Sequence, residues 1–299
     1  MAEVLQLSSE LKCCDSTLGG GGHSCIIAAG IEPGGTLVVF DEDPAAFEEA
    51  LPKLTKFEVK VIPVHSNFRH IGEVLKSLEI ETVDRIFADL GLSSRQLDNE
   101  LRGFSFSKDG PLDMRQNPSK GITASEYLAS VTERELVQIL QDFGDERWAA
   151  RIARFIIEGR TKGPITRTRQ LADLVSQAIP RAAWPKDKHP ATRTFQAIRV
   201  KILDEIPALQ EFLESALKVL APNGIMAVMS FQGDEDQIVK SFMNHHIGKC
   251  TCPPRMPVCV CGAKAEIKIL TRKPITPSDD ECRLNPRARS ARLRAFQKL

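Results

Sequence analysis

Nowhere in its 299 residues does this chain reach the ~18 consecutive apolar residues that a membrane span needs. Its start, MAEVLQLSSELKCC, has no basic stretch leading into an apolar one, so no secretory signal is expected. Cysteine is sparse: eight residues sit at 13, 14, 25, 250, 252, 259, 261 and 282, too few for a disulfide scaffold in a chain this long. A reducing, cytoplasmic setting is the expectation. There is no internal repeat or low-complexity tract. Two chemical signatures are also missing, the dinucleotide spacing G-x-G-x-x-G and the D/N-P-P-aromatic motif of many amino-methyltransferases. Net charge is almost absent too, at +1.

That near-zero charge is unevenly spread. From Arg147 to Lys201 there are 13 Lys/Arg against 3 Asp/Glu, and from Arg283 to Leu299 there are 6 basic residues and no acid. Basic stretches of this kind attract polyanions, whereas scattered solvated helix faces are the plainer account. Hydrophobic residues at 42% and charged residues at 26% describe an ordinary globular chain, long enough for one large domain or two smaller ones.

Apolar runs at 11–15, 35–43, 59–66 and 83–91 alternate with helical patterns, which predicts a parallel, doubly wound α/β sheet. The rhythm then breaks. RGFSFSKDGPLDMRQNPSKG reads as a loop, 123–221 is helical throughout, and strand character returns at 223–231 and 265–275. The expectation is one α/β domain, 1–105 with 207–299, interrupted by a helical insertion at 106–206.

DSTLGGGGHS at 15–24 falls in the first βα turn, where such folds let a ligand approach the backbone at a helix N-terminus. Asp41 closes the second strand, where an acid commonly accepts from a ribose. Glycines and this acid together point to an adenosine-type cofactor. A polar turn without the dinucleotide spacing favours S-adenosylmethionine (SAM) over NAD. Asp89, ending the fourth strand in ADLGLSS, would face the reacting centre.

The stretches DSTLGGGGHS, FDEDPAAF, HSNF, ADLGLSSRQLDNELRGFSFSKDGPLDMR, FGDERWAARIA, ITRTRQLADLV, HPATRTFQAIR, SFQGDEDQIVKSFM and NPRARSARLRAFQKL, in that order, resemble the MraW (RsmH) family. Its members are SAM-dependent enzymes that methylate cytosine N4 in 16S ribosomal RNA of the small subunit. The resemblance implies a Rossmann-like class I methyltransferase sheet with an inserted helical domain. It implies that Gly21, Gly22 and His23 meet the methionine end of SAM, Asp41 its ribose and Phe68 its adenine, with Asp89 and Gln96 completing the cofactor site. A homodimer is carried as an expectation.

The chemistry asks for an oxygen that accepts from N4 and takes its proton; Asp89 is the first candidate and Asp113 in GPLDMR the second. An unpaired or flipped base needs a flat wall, for which Phe104 and Phe106 are candidates, with a loop anchor as the competing role. Arg193, Arg199, Arg287, Arg289, Arg292 and Arg294 are candidates for phosphate contacts.

Three departures from the family stand out. MAEVLQLSS occupies the place of a segment of the type H-x-P-V-L-L, SFQGDEDQ replaces SFHSLEDR, and Leu203 stands where Asn is usual. They keep open an alternative, an RNA-binding ribosome-assembly factor that retains the fold without catalysis. CTCPPRMPVCVCG offers Cys250, Cys252, Cys259 and Cys261 as C-x-C-x6-C-x-C. Zinc sites usually read C-x2-C, and alternate strand residues point to opposite faces, so no metal is expected.

Overall fold

The computed structural model describes residues 1–248 and 264–299; Cys250, Cys252, Cys259 and Cys261 lie outside them. Two compact units are present, Met1–Gly91 with Pro207–Leu299, and Leu92–Ile206. The first division falls at 91/92 instead of 105/106 because Leu92 and Leu97 already pack with Phe104 in the second unit's core.

In the first unit the chain runs α1 (Ala2–Leu5), β1 (Lys12–Asp15), α2 (Gly22–Ile31), β2 (Thr36–Asp41), α3 (Pro44–Leu54), β3 (Lys60–His65), α4 (Ile71–Ser77) and β4 (Val83–Asp89). The second unit holds α5 (Ser94–Asp98), α6 (Ala124–Ser130), α7 (Glu133–Asp142), α8 (Ala149–Thr161), α9 (Thr168–Ala178) and α10 (Thr192–Leu203). Helix α11 (Glu205–Val219) leads back into the first unit, followed by β5 (Leu220–Ser230), α12 (Gly233–His246), β6 (Ile267–Ile269), α13 (Asp279–Leu284) and β7 (Arg292–Lys298).

The sheet order is β3-β2-β1-β4-β5-β7-β6, with β3 through β5 mutually parallel and β7 antiparallel to both neighbours. This is the Rossmann-like class I methyltransferase arrangement that the resemblance implied. Strand residues alternate between two cores because successive side chains leave opposite faces. Cys14, Val38, Phe40, Ile86 and Met226 point to one, where α4, α11 and α12 bring Leu75, Phe212 and Phe242. Cys13, Leu37, Val39, Phe87 and Ile225 point to the other, under α2 and α3 with Ile27, Ile31, Ala50 and Leu54. Covering both faces is what makes the strands read as unbroken apolar runs. Burial keeps the Cys13 thiol protonated, its pKa pushed up to about 12, and Cys13, Cys14, Cys25 and Cys282 are free. No helix among the described residues is long and apolar enough to cross a membrane.

The second unit is helical around its own core, with Leu136 and Leu140 of α7, Ile152 and Ile156 of α8, Leu171 and Val175 of α9, and Phe195 and Ile198 of α10. Capping boxes fix its turns: Thr123 with Glu126 starts α6, and Ser93 with Gln96 starts α5.

β7 is one of the elements that the sequence reading missed, since RLRAFQK carries charge at alternate positions. The structure shows how one of those charges is buried. Arg294, 8% exposed, donates through Nε and Nη2 to Asp236 Oδ1 and Oδ2 at 2.6 and 3.0 Å, and Arg292 Nη1 reaches Oδ2 at 3.3 Å. This pair ties β7 to the first turn of α12. The Arg294 hydrogen bonds hold the Asp236 carboxyl below the usual carboxylate range, against the opposing effect of burial. The expected strand at 265–275 is likewise shorter, Ile267–Ile269, with a single further bridge from Ile275 to Leu293.

Asp236→Ala should lower the unfolding free energy by about 3–5 kcal/mol, because it leaves a buried guanidinium unpaired. A carboxylate whose pKa is depressed by folding stabilises fully above its unfolded value, about 3.9, and that contribution disappears as pH falls through the lower folded value. Urea unfolding should therefore show a deficit near neutrality that narrows in acid. Equal stability of variant and wild type at neutral pH would show that the pair does not support the sheet.

Candidate functional site

The parallel strands β1 to β4 end at a common edge, and the residues just past those ends form the candidate site. After β1 the loop is laced to β2: Leu18 N–H donates to Phe40 O and Gly19 N–H to Asp41 Oδ2, both at 2.8 Å. Gly21 has φ +78°, a left-handed conformation that glycine adopts without strain, and a Cβ there would lie 2.7 Å from the Ala50 Cβ of α3. Gly20 is pinned from α3 as well, its carbonyl accepting from Lys53 Nζ at 2.7 Å. Gly22 differs. It is exposed, its φ is not left-handed, and a Cβ would meet nothing within 4 Å. No contact among the described residues requires glycine at 22, and its bare backbone faces open space where α2 begins.

Three aspartates end three of the strands. Asp15, at the end of β1, is fully buried; Ser24 Oγ donates to its Oδ2 at 2.5 Å and Thr17 N–H to its Oδ1 at 3.1 Å. Burial pushes its carboxyl up to about 6, against those hydrogen bonds and the nearby His23 charge. Asp41, at the end of β2, accepts from Gly19 N–H through Oδ2 and from Asp43 N–H through Oδ1, each at 2.8 Å; burial lifts it to about 6 as well. Asp89, at the end of β4, stands 3.3 Å from His23 Nδ1 through Oδ2, while its Oδ1 is buried with no hydrogen-bond partner. Thr17 Oγ1 accepts from the Asp89 N–H at 2.6 Å, which fixes the strand end.

The His23 ring rests edge-on against Phe87 with centroids 4.8 Å apart. Burial opposes its charge, but the hydrogen bond to Asp89 and the charges of Asp89 and Asp15 outweigh burial, so its pKa is raised. Asp15 and Ser24 are the site residues that the sequence reading overlooked. Their signal was an acid closing an apolar run directly before the glycines.

Gly21, Gly22, His23, Asp41 and Asp89 thus come together on the first unit's strand edge. Phe68, in the 3-10 turn after β3, is half-buried there with its ring edge-on to Phe212 at 5.0 Å. Gln96 belongs to the second unit, where its Oε1 accepts from Ser93 N–H at 3.0 Å at the start of α5.

Asp113 is corrected. Its carboxylate is held bidentately by Arg115 at 2.7 and 2.8 Å and also accepts Arg115 N–H at 3.0 Å. Burial works against it, yet those bonds keep its pKa low, so it is a turn anchor and a poor proton acceptor.

The RNA candidates divide by burial. Phe104, 6% exposed, is a core residue of the second unit and offers no stacking face. Arg294 is consumed by Asp236, and Arg199, half-buried, donates through Nη2 to Glu205 Oε2 at 3.1 Å; neither is free for phosphate. Phe106 is half-buried against Phe195 and His189, each 4.7 Å away between centroids. Arg193 is exposed, with Nη1 on Asp145 O at 2.7 Å, and Arg287, Arg289 and Arg292 are exposed on the first unit.

In the segment SFQGDEDQ, Glu235 Oε2 accepts from Phe231 N–H and Gln232 N–H at 2.9 and 3.0 Å, and Gln232 Nε2 donates to Glu235 Oε1 at 3.2 Å. Of the two acids that survive in this departure, Glu235 holds backbone and Asp236 is taken up by Arg294. Among the described residues no group of three or more His, Cys, Asp or Glu side chains is placed to hold a metal ion.

Comparison with known proteins agrees with this geometry. The profile of the MraW methylase family matches residues 1–299. A ribosomal RNA small subunit methyltransferase H from Heliobacterium modesticaldum is 48% identical over 298 residues, covering 99% of this chain and 95% of that one. The protein of the same name from Geobacter sulfurreducens is 48% identical over 285 residues, covering 95% and 92%. A third, from Carboxydothermus hydrogenoformans, is 45% identical over 297 residues, covering 99% and 94%. On this match along its whole length, the chain belongs to the MraW methylase family.

Proposed function

We propose that this chain transfers a methyl group from SAM to the exocyclic N4 of a cytidine in small-subunit (16S) ribosomal RNA, as a cytoplasmic enzyme. The names of its relatives supply the substrate class, and the resemblance supplies the atom. The observation that carries the chemistry is the buried, unpartnered Asp89 Oδ1 at the end of β4.

The residues fit the cofactor. Gly22 leaves its backbone open to a ligand, and the helix N-terminus there suits a carboxylate. Each Asp41 oxygen accepts one backbone N–H and keeps a lone pair for a ribose hydroxyl. Phe68 offers a half-exposed ring in the turn after β3. SAM, when bound, supplies a methyl group on sulfonium, already activated for in-line displacement.

The chain's own task is to position the nucleophile and handle its proton. The N4 lone pair is delocalised into the cytosine ring, so an acceptor must align it and take the proton that transfer releases. The Asp89 carboxylate, whose Oδ1 has no partner within the described residues, would accept from N4, while His23 on Oδ2 holds it in one orientation. A raised His23 pKa keeps that ring charged over more of the pH range and so sustains its pairing with Asp89.

Gly22→Ala should leave thermal stability unchanged, since its Cβ meets nothing, and should abolish or weaken SAM binding in calorimetry by at least about tenfold. Gly21→Ala should instead destabilise the fold itself. If Gly22→Ala binds SAM like the wild type, the cofactor does not lie against this turn.

With labelled SAM and small subunits from cells lacking the family enzyme, label should appear in N4-methylcytidine after digestion to nucleosides. Asp89→Asn should reduce turnover at saturating SAM by about a hundredfold or more. Full turnover in that variant would remove Asp89 as the acceptor, and label in another nucleoside would overturn the assigned base.

A further inference from the structure

One surface feature of the second unit plays no part in the chemistry above. Arg181 lies over the ring of Trp184, 3.9 Å from its centroid, whereas the three other cations over rings stand 5.0, 5.7 and 5.8 Å away. The guanidinium is exposed and forms no ion pair among the described residues. Trp184 is fixed from below, with Nε1 donating to Ile179 O at 3.1 Å.

The rings continue inward. His189 is 6.1 Å from Trp184, Phe106 is 4.7 Å from His189, and Phe195, 4% exposed, is 4.7 Å from Phe106. Burial and the charge of Arg169 push the His189 pKa down, and its Nδ1 accepts the Ala191 N–H at 3.2 Å, so the ring stays neutral. The result is a row of flat groups anchored in the core whose outermost plate is a free guanidinium.

We propose that Arg181, held on Trp184, is a stacking plate for an unpaired base of single-stranded RNA; this rests on the RNA-substrate reading above. Arginine planes and aromatic rings are the surfaces on which unpaired bases stack, and a plate already held in place loses little entropy on binding. The neighbouring charge suits the same ligand. Lys186 and Lys188 are exposed beside the plate, and Asp187 is the one acid in RAAWPKDK. Around them 13 basic residues outnumber 3 acidic ones between Arg147 and Lys201. A duplex, whose bases stack on one another, presents no free face to such a plate.

The chain has two tryptophans, Trp148 and Trp184, so Trp148→Phe makes Trp184 the sole indole reporter. Single-stranded oligocytidylate should quench it in a saturable, salt-dependent way, while heparin, charge without bases, should not. In the otherwise wild-type chain, Arg181→Ala should weaken oligocytidylate binding by about tenfold with unchanged thermal stability. Arg181→Lys should fail to restore it, because an ammonium keeps the charge and loses the plane.

Absent quenching, or wild-type affinity in Arg181→Lys, would overturn the stacking plate and leave a patch that reads charge alone. The same preparations are assayed for N4-methylcytidine on small subunits. Methyl transfer without quenching sinks this inference only, whereas wild-type protein that yields no N4-methylcytidine sinks the functional reading whatever Trp184 reports.

Discussion

The crowding of Gly21 against Ala50 governs the geometry of the site. A left-handed residue with no side chain lets the chain leave the β1 loop and enter α2 immediately, while α3 packs against the same backbone. Because α2 starts at that point, Ser24 reaches back to Asp15 at the end of β1, and His23 faces Asp89 at the end of β4. A side chain at 21 would push α2 away from α3 and uncouple these contacts together. The glycine run thus combines two constraints of different origin: position 21 is fixed by packing, whereas nothing among the described residues fixes position 22.

The acids at the strand ends follow from how a parallel sheet terminates. Each strand delivers its last residue to the same edge, where the core gives way to open space. Asp15 and Asp41 are buried enough that desolvation works against their charge, and backbone N–H groups and Ser24 offset part of that cost. Asp15 and Asp41 each accept one hydrogen bond on each oxygen, but Asp15 is fully buried whereas Asp41 is partly exposed. Asp89 alone of the three keeps a buried oxygen without a partner. The three residues share a side-chain type and a location, and burial together with hydrogen bonding sets them apart.

Much of this was legible in the sequence. Unbroken apolar runs alternating with helical patterns specify a parallel sheet covered on both faces, and turn glycines with acids at strand ends specify the ligand edge. Pairing was illegible. Asp113, Arg199 and Arg294 are charged residues in promising segments, and only the folded chain reveals that Arg115, Glu205 and Asp236 already occupy them. Phe104 and Phe106 stand two residues apart in RGFSF, yet one is a core residue and the other half-exposed, a distinction that an irregular loop does not encode by period. β7 escaped for the same reason as Arg294. A strand that buries an arginine looks polar until its counter-charge, 58 residues earlier in sequence, is known.

In SFQGDEDQ the two buried acids each hold a different part of the fold. Glu235 closes the first turn of α12 by accepting two backbone N–H groups, and Asp236 neutralises Arg294 beneath the sheet edge. Either acid, if lost, leaves buried donors unsatisfied, at a cost of about 1–3 kcal/mol for the turn and more for the charge. The Gln232 amide reaches Glu235 as well. Its neighbour Gly233 opens the helix at a position where an added Cβ would meet nothing. In this chain Gly233, Asp234 and Gln237 are exposed, whereas Glu235 holds backbone and Asp236 a buried charge. The hydrogen bonds that shape the strand edge carrying Asp15, His23, Asp41 and Asp89 come from Thr17, Gly19, Ser24 and Asp43, none of them in this segment.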